Sequence, residues 1–454
     1  MTLNEYMTSL RGKRIGVVGI GVSNRPLIDL LLDAGCDVTA CDKRDRAAMG
    51  DVAAALESRG CKLKLGEDYL EGLDFDVIFR TPGLHPRFLA QAEANGAALT
   101  SEMEAFFALC PCRIFAVTGS DGKTTTTSII AELLKAAGYT VWLGGNIGTP
   151  LLDKLLQMKA EDMVVLELSS FQLHSMHCRP HVAVITNVSP NHLDVHPDYN
   201  DYIDAKKQIF RAQQEADLLV LNADNGITRA MKDEAPGRVA FFSRRESVCG
   251  VYSSDGEIYA DGRAMMPVDA IRIPGEHNLE NYMAAFAAVG ELVPAEVCRK
   301  VAEDFAGVEH RLEMFHCVNG VTYCNDSIAS SPTRTIAGLR ALRQKPILIA
   351  GGYDKNIPFD ELGHEICRHV KALVLCGATS DKILAAVTAS PLYDAQRLPI
   401  LCKADFTEAV YAARDLAEQG DLVLLSPACA SFDMFPNFAV RGRTFKKIVT
   451  EMDS

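Results

Sequence analysis

Arg113-Ile-Phe-Ala-Val-Thr-Gly-Ser-Asp-Gly-Lys-Thr-Thr-Thr-Thr127 reads as a buried strand, a glycine turn and the start of a helix. The apolar run from Ile114 to Val117 suits a parallel strand covered on both faces. Ile129, Ile130, Leu133, Leu134 and Ala137 then give the following segment one apolar face at helical spacing. Gly119 and Gly122 let the backbone curl so that its N–H groups converge, and the helix N-terminus adds partial positive charge. A loop of this kind holds an anion. Lys123 can reach the outer phosphates of a nucleotide, and the Thr124 hydroxyl can ligate Mg²⁺. Val117 stands where the pattern G-x-x-x-x-G-K-[ST] has its first glycine, so an unrelated glycine turn is the competing reading. A kinase, a switch GTPase and a ligase could each use such a loop.

Outward from this segment, short apolar runs alternate with amphipathic stretches. Strands are predicted at 14–20, 37–42, 75–79, 113–119, 163–169, 181–188, 217–222, 345–352, 371–377 and 421–427. Alternation with helices predicts an α/β protein built on parallel sheets. The strand and helix series restarts at Arg113, after Leu109-Cys110-Pro111, and again near Gly320, after Val308-Glu309-His310-Arg311. Three domains are expected, at 1–105, 106–307 and 308–454: a Rossmann-like N-terminal domain, a central phosphate-loop domain and a Rossmann-like C-terminal domain. In the first, Gly19-Ile-Gly21-Val22-Ser23 resembles a dinucleotide fingerprint, but Asn24 replaces its third glycine, and G-x-G alone is weak.

The bulk properties narrow the classes. At 454 residues with 48% hydrophobic and 23% charged residues, the chain can bury several cores without staples. A net charge of −13 offers no basic face for nucleic acid, so phosphate must be held locally. Fourteen cysteines at irregular spacing, several inside apolar runs, read as reduced, buried thiols. The N-terminus has no apolar signal core, and no apolar run approaches the ~18 residues of a membrane span. A cytoplasmic protein, with no membrane partner, is expected.

Chemistry-bearing residues continue downstream. Glu167 ends the apolar run Met163-Val-Val-Leu166, at a strand's carboxyl end where ligands collect, and could hold Mg²⁺ directly or through water. An edge carboxylate is the plainer reading. His192 and Asp194 follow the next strand in Asn187-Val-Ser-Pro-Asn-His-Leu-Asp194 and could contact metal or phosphate, although a lone histidine is more often structural. A helix carrying Lys206-Lys207 comes after them. His174, His177, Cys178 and His181 invite a zinc reading, which their straddling of a helix-to-strand junction with Pro180 disfavours. Cys110-Pro111-Cys112 reads as a linker.

Taken together, TGSDGKTTT (118–126), GNIGTP (145–150), LELSSFQL (166–173), NVSPNHLD (187–194), GEHNLEN (275–281), EHR (309–311), NDS (325–327), GGYDK (351–355) and SPACASFDMFPNF (426–438) occur in the order found in the Mur ligases, which this chain resembles over essentially its whole length. The resemblance implies an ATP-dependent ligase that activates a carboxylate as an acyl phosphate and joins it to an amino acid in peptidoglycan precursor synthesis. The SPACASFDMF stretch resembles the branch that takes UDP-N-acetylmuramoyl-L-alanine and glutamate as substrates. A monomer is expected.

By resemblance, ATP lies on Gly119, Ser120, Asp121, Gly122, Lys123, Thr124, Thr125, Asn278, Asn281, Arg311 and Asp326. The UDP-sugar lies on Val22, Ser23, Asp42, Lys43, Arg44, Thr81, Gly83, Asn146, Ser169 and Gln172. Two Mg²⁺ ions are implied, held by Thr124, Glu167, His192 and Lys206, the last as a CO₂-derived carbamate. Free lysine is a cation that cannot ligate a metal, whereas its carbamate is an anionic oxygen donor. Catalysis is implied for Lys123, Glu167, His192 and Lys206. Glutamate is implied at Ser330, Lys355, Ser431, Phe432 and Phe438, with domain closure excluding water. One stretch departs from the family pattern N-D-S-K-[AS]-T-N: Asn325-Asp-Ser-Ile328-Ala-Ser330-Ser-Pro332. A related branch that uses L-glutamate carries a similar stretch, so the enantiomer stays open. A nucleotide-binding regulatory protein without catalysis and a NAD-dependent enzyme built on the first domain are the other readings. Retention of Lys123, Glu167, His192 and Lys206 disfavours the former, and Asn24 the latter.

Overall fold

The structure is a computed structural model that describes residues 1–148, 150–190, 196–355 and 357–452. The chain divides into two compact units, one of Met1–Ile271 with His277–Glu303, the other of Arg272–Glu276 with Asp304–Ser454.

The first unit holds two sheets. A five-stranded, all-parallel sheet runs in the order Lys62–Leu65, Asp37–Asp42, Arg14–Val18, Val77–Arg80, Ala98–Thr100. A nine-stranded sheet runs Arg263–Pro267, Glu257–Ala260, Gly250–Ser254, Arg238–Ser243, Leu218–Asn222, Val182–Ile185, Arg113–Thr118, Met163–Glu167, Val141–Gly145. Its strands are parallel except for the hairpins at one edge. One apolar core runs through both sheets, from Val17 and Phe79 to Phe106, Ile114, Leu166 and Ile185. That continuity explains why two sheets share a unit.

The second unit is built on a six-stranded sheet ordered Glu313–Val318, Val321–Asn325, Leu422–Leu425, Ile347–Ala350, Ala372–Cys376, Ile400–Lys403. Its first two strands form an antiparallel edge, and the rest are parallel.

All the predicted strands form: 37–42 keeps its predicted bounds, 75–79 is shifted to Val77–Arg80, and the others are trimmed by one to four residues. The strands not anticipated sit at edges or in hairpins, except Arg238–Ser243, which lies inside the nine-stranded sheet between two parallel neighbours. Lys62–Leu65 and Ile400–Lys403 carry little buried apolar surface. The hairpin strands turn at Asp255-Gly256 and Asp261-Gly262, where both residues of each pair have positive φ, as a tight hairpin turn requires. All fourteen cysteines are free. The expectation that they are buried fails at Cys249, Cys317 and Cys402, which lie on exposed hairpin or edge segments.

Candidate active site

The quoted segment folds as strand Arg113–Thr118, a turn, and helix Lys123–Ala136. Gly119 and Gly122 both have positive φ, +151° and +78°. A Cβ on Gly119 would strike the Thr186 hydroxyl, and one on Gly122 would strike the Asn281 amide oxygen. The turn is therefore shaped by what presses on it, as well as by its own freedom. Behind it, Ser120 N donates to the Asn187 carbonyl at 2.9 Å. Asp121 N donates to Asn187 Oδ1 at 2.9 Å, and Thr186 Oγ1 donates to the Asp121 carbonyl at 2.5 Å. Thr126 Oγ1 donates to Asn281 Oδ1 at 3.2 Å, and Asn281 Nδ2 to Asn278 Oδ1 at 3.2 Å. Asn278 and Asn281 thus buttress the loop from the helix Glu276–Val289.

Two lysines converge on one carbonyl. Lys123 Nζ donates to the Gly119 and Ser120 carbonyls at 3.0 Å each. Lys206 Nζ, from the helix Tyr199–Arg211, donates to the same Gly119 carbonyl at 2.7 Å. Lys206 is 1% exposed and stands 4.4 Å from the centre of the Tyr202 ring, whose hydroxyl is 2.9 Å from Ser120 Oγ. Burial, and then the charge of Lys123, hold the Lys206 amine well below its ordinary pKa. A neutral amine is the form that can add CO₂.

Glu167 closes the strand Met163–Glu167 and is 2% exposed. Asn146 Nδ2 donates to its Oε1 at 2.7 Å, while its Oε2 is buried without a hydrogen-bond partner among the described residues. Such an orphan oxygen costs free energy unless something occupies the space in front of it. A hard cation fits that position. Thr124 sits in the first turn of the phosphate-loop helix, half-buried. His192 and Asp194 lie outside the described residues.

A cleft of about 210 Å³ opens between the two sheets of this unit. Val22, Ser23, Asn146 and Gln172 of the expected sugar-nucleotide set line it, with Asn24 and with Arg80 and Glu102, which carry no functional signal in the sequence. Asn24 explains the missing third glycine: its Nδ2 donates to the Gly19 carbonyl at 2.9 Å and to the Val18 carbonyl at 3.3 Å, so its amide braces the turn. Arg80 is 2% exposed and donates to the Leu84 carbonyl at 2.6 Å, the Phe171 carbonyl at 3.0 Å and Ser175 Oγ at 3.0 Å. It fastens the first sheet's strand end to the central region. Burial pushes the Glu102 carboxyl up to about 7.

Other expected residues hold the framework in this structure. Asp42 accepts from Ile20 N at 2.8 Å and from Arg44 N at 3.0 Å, and Arg44 Nη2 bonds its Oδ2 at 2.8 Å. Burial favours the neutral Asp42 carboxyl, but the Arg44 guanidinium and the two amides outweigh it and bring the pKa down to about 2. Ser169 caps the short helix Ser170–Leu173, with Gln172 Oε1 accepting from its amide and hydroxyl at 3.0 Å. Asp42, Lys43, Arg44, Thr81, Gly83 and Ser169 are not among the residues lining the cleft.

The second unit gathers the remaining residues. Asp326 is 4% exposed, accepting from Ser426 Oγ at 2.7 Å and Leu312 N at 3.2 Å. Burial raises its carboxyl to about 7 against those donors and the charge of Arg311. His310 and Leu312, on either side of Arg311, have φ of 67° and 42°, a left-handed backbone that non-glycine residues adopt only where their surroundings impose it. Lys355 Nζ donates to the Ser330 carbonyl at 3.3 Å, and the Phe432 ring packs edge-on against Tyr353 at 5.8 Å. Phe432 is 64% exposed and Phe438 38%, whereas Ser431 is buried. Ser330, Lys355 and Phe432 thus lie on neighbouring loops, with two aromatic faces open to solvent.

Comparison with known proteins fits this geometry. Residues 117–289 match the Mur ligase middle domain, and residues 310–429 match the Mur ligase glutamate ligase domain. The chain belongs to the Mur ligase family. It is 50% identical over 456 residues to the UDP-N-acetylmuramoylalanine--D-glutamate ligase of Clostridium novyi, covering 99% of each chain. It is 51% identical over 453 residues to the protein of that name from Clostridium beijerinckii, again covering 99% of each. Among solved structures, UDP-N-acetylmuramate-alanine ligase MurC from Thermotoga maritima is similar at a TM-score of 0.57 and 17% identity, over 97% of this chain and 100% of that one. MurF from Acinetobacter baumannii is similar at a TM-score of 0.57 and 17% identity, over 84% and 92%. These likenesses speak to the α/β fold alone. Among the described residues, no helix is long and apolar enough to cross a membrane.

Proposed function

We propose that the chain ligates D-glutamate to UDP-N-acetylmuramoyl-L-alanine with hydrolysis of ATP to ADP and phosphate. The observation that carries the reading is the phosphate loop with Lys123 and Lys206 on its Gly119 carbonyl. Full-length identity of about half to proteins named for that reaction supports the substrates. The presence of three sheets supports a reading of three domains at 1–105, 106–307 and 308–454.

The chemistry follows from charge. The alanyl carboxylate and the γ-phosphate of ATP repel one another, so their approach needs positive charge around both. Lys123 and the N-terminus of its helix supply part of it. Thr124, Glu167 and Lys206 as a carbamate would hold Mg²⁺, which would supply the rest as a Lewis acid. With His192 added, this set would hold two such ions. Attack of the carboxylate oxygen on the γ-phosphorus breaks the bond to ADP and leaves an acyl phosphate. The glutamate amine then attacks the acyl carbon, losing a proton as phosphate departs and the amide forms. The cleft lined by Val22, Ser23, Arg80, Asn146 and Gln172 takes the sugar nucleotide, with Asp42, Lys43, Arg44, Thr81, Gly83 and Ser169 as further contacts. Asn278, Asn281, Arg311 and Asp326 serve ATP. Ser330, Lys355, Ser431, Phe432 and Phe438 receive glutamate, whose carboxylates suit a lysine and hydroxyls.

Phosphate release with ATP, Mg²⁺ and UDP-N-acetylmuramoyl-L-alanine, comparing D-glutamate with L-glutamate, tests the reading. Release with D-glutamate is expected. Release with L-glutamate alone would reassign the amino acid, and release with neither would refute the function.

A further inference from the structure

The zinc reading of His174 with His177, Cys178 and His181 fails for a different reason from the one the sequence suggested: His174 is engaged elsewhere. Its Nε2 lies 2.9 Å from Asp201 Oδ1. The same carboxylate receives His196 Nδ1 at 2.6 Å on Oδ2 and faces His85 Nε2 at 3.8 Å. The His85 and His174 rings meet at 4.3 Å between centres. One potential ligand atom each from His85, His174 and Asp201 lies within 4.8 Å of the other two.

From this geometry we infer a transition-metal site, of the Zn²⁺ type, formed by His85, His174 and Asp201. Two imidazoles and a carboxylate are the donor set that zinc and its neighbours prefer over Mg²⁺. Ligand bonds of ~2.0–2.2 Å at tetrahedral angles put donors roughly 3.3 Å apart, so closing the group needs shifts on the order of 1 Å. The second observation is His85 itself. Its side chain is 9% exposed, and its Nε2 is buried without a hydrogen-bond partner among the described residues while pointing into the cluster. Its Nδ1 accepts from Arg87 N at 3.1 Å in an exposed position, so metal binding shifts the ring proton to Nδ1 and leaves that amide to water. His196 stands behind the ligands. Its Nε2 is 3.0 Å from Ser170 Oγ and its Nδ1 holds Asp201, the outer support that metal ligands characteristically have. The fourth position is left for water.

The site joins two parts of the first unit. His85 follows Thr81-Pro82-Gly83 at the end of the first sheet's strand Val77–Arg80. Asp201 lies in the first turn of the helix that carries Lys206. A bound ion therefore ties the sugar-nucleotide side of the cleft to the helix that supports the phosphate loop.

The test is titration of the metal-stripped full chain with Co²⁺ in excess Mg²⁺, read by visible absorption. One equivalent should bind with the intense bands of a four-coordinate N/O site, and Zn²⁺ should displace it. His85→Gln and His174→Gln should each lose the bands, and His196→Gln should weaken binding ~10-fold. Thermal unfolding of each variant without metal checks that it folds. Absence of Co²⁺ binding by the wild-type chain, undiminished binding by folded His85→Gln and His174→Gln, or sulfur-to-cobalt charge-transfer bands marking cysteine ligation would each overturn the site. No outcome depends on ligase activity, so failure here leaves the proposed reaction untouched.

Discussion

Replacing Glu167 with glutamine should separate stability from activity. The amide oxygen can take the place of Oε1 and keep the 2.7 Å bond from Asn146 Nδ2. The amide nitrogen then occupies the place of Oε2, which has no partner among the described residues. In the ligand-free chain the wild type bears a buried carboxylate with one unsatisfied oxygen, a cost of ~1–3 kcal/mol, larger for a charged group. The variant exchanges it for an unsatisfied neutral group, so its stability should equal or exceed the wild type's by ~1–2 kcal/mol. Transition-state stabilisation should move the other way. Loss of one preorganised electrostatic contact costs ~10²–10³ in rate, or ~3–4 kcal/mol. The assays are thermal unfolding without nucleotide or metal, and phosphate release with all substrates. A Glu167→Gln chain that unfolds several degrees lower while releasing phosphate at the wild-type rate would refute the reasoning, because Glu167 would then be a structural anchor.

Further predictions follow the same geometry. Gly122→Ala puts a side chain on a φ of +78° and against Asn281, which costs ~1–2 kcal/mol from the backbone alone, so ATP affinity measured by calorimetry should fall at least ~10-fold; unchanged affinity would count against the buttressing role. Removing dissolved CO₂ should lower phosphate release and bicarbonate should restore it, whereas Lys206→Arg should be inactive in both; indifference to CO₂ would exclude a carbamate at this lysine. Asp326 titrates at about 7 when folded and near its ordinary value when unfolded, so the folded chain holds an extra proton between these limits. Stability should fall as pH rises from ~4 to ~7, by up to ~4 kcal/mol, and level off above. Asp326→Asn should flatten that slope in denaturant titrations at pH 5 and 7.5, and an unchanged slope would refute the assignment.

The legible parts of this chain were those whose physics is local. Arg113 to Thr127 declares its strand, turn and helix through apolar spacing and two glycines, and Glu167 at a strand end follows from the same reading. The Asp-Gly turns at 255–256 and 261–262 were an available signal for the hairpin edge. Long-range partners leave no such mark. That Lys206 would share a carbonyl with Lys123, 87 residues from Gly119 in sequence, depends on how the helix Tyr199–Arg211 packs. Arg80 reads as the polar end of a strand until Phe171 and Ser175 arrive from the short helix Ser170–Leu173 and the turn after it. His174 stands in sequence beside His177, Cys178 and His181, whereas its partners come from positions 85 and 201.

Arg80 has one more consequence. Its guanidinium is buried deeply enough that its pKa drops to about 10, yet every hydrogen bond it makes is to a carbonyl or hydroxyl, and those to Phe171 and Ser175 reach across to the central region. Pulling the two walls apart would strand that charge among unanswered oxygens. The walls therefore stand in place before any ligand arrives, and a molecule entering between them spends none of its binding free energy on assembling its own receptor. Association should accordingly be a single concentration-dependent phase, with no slow isomerisation following it.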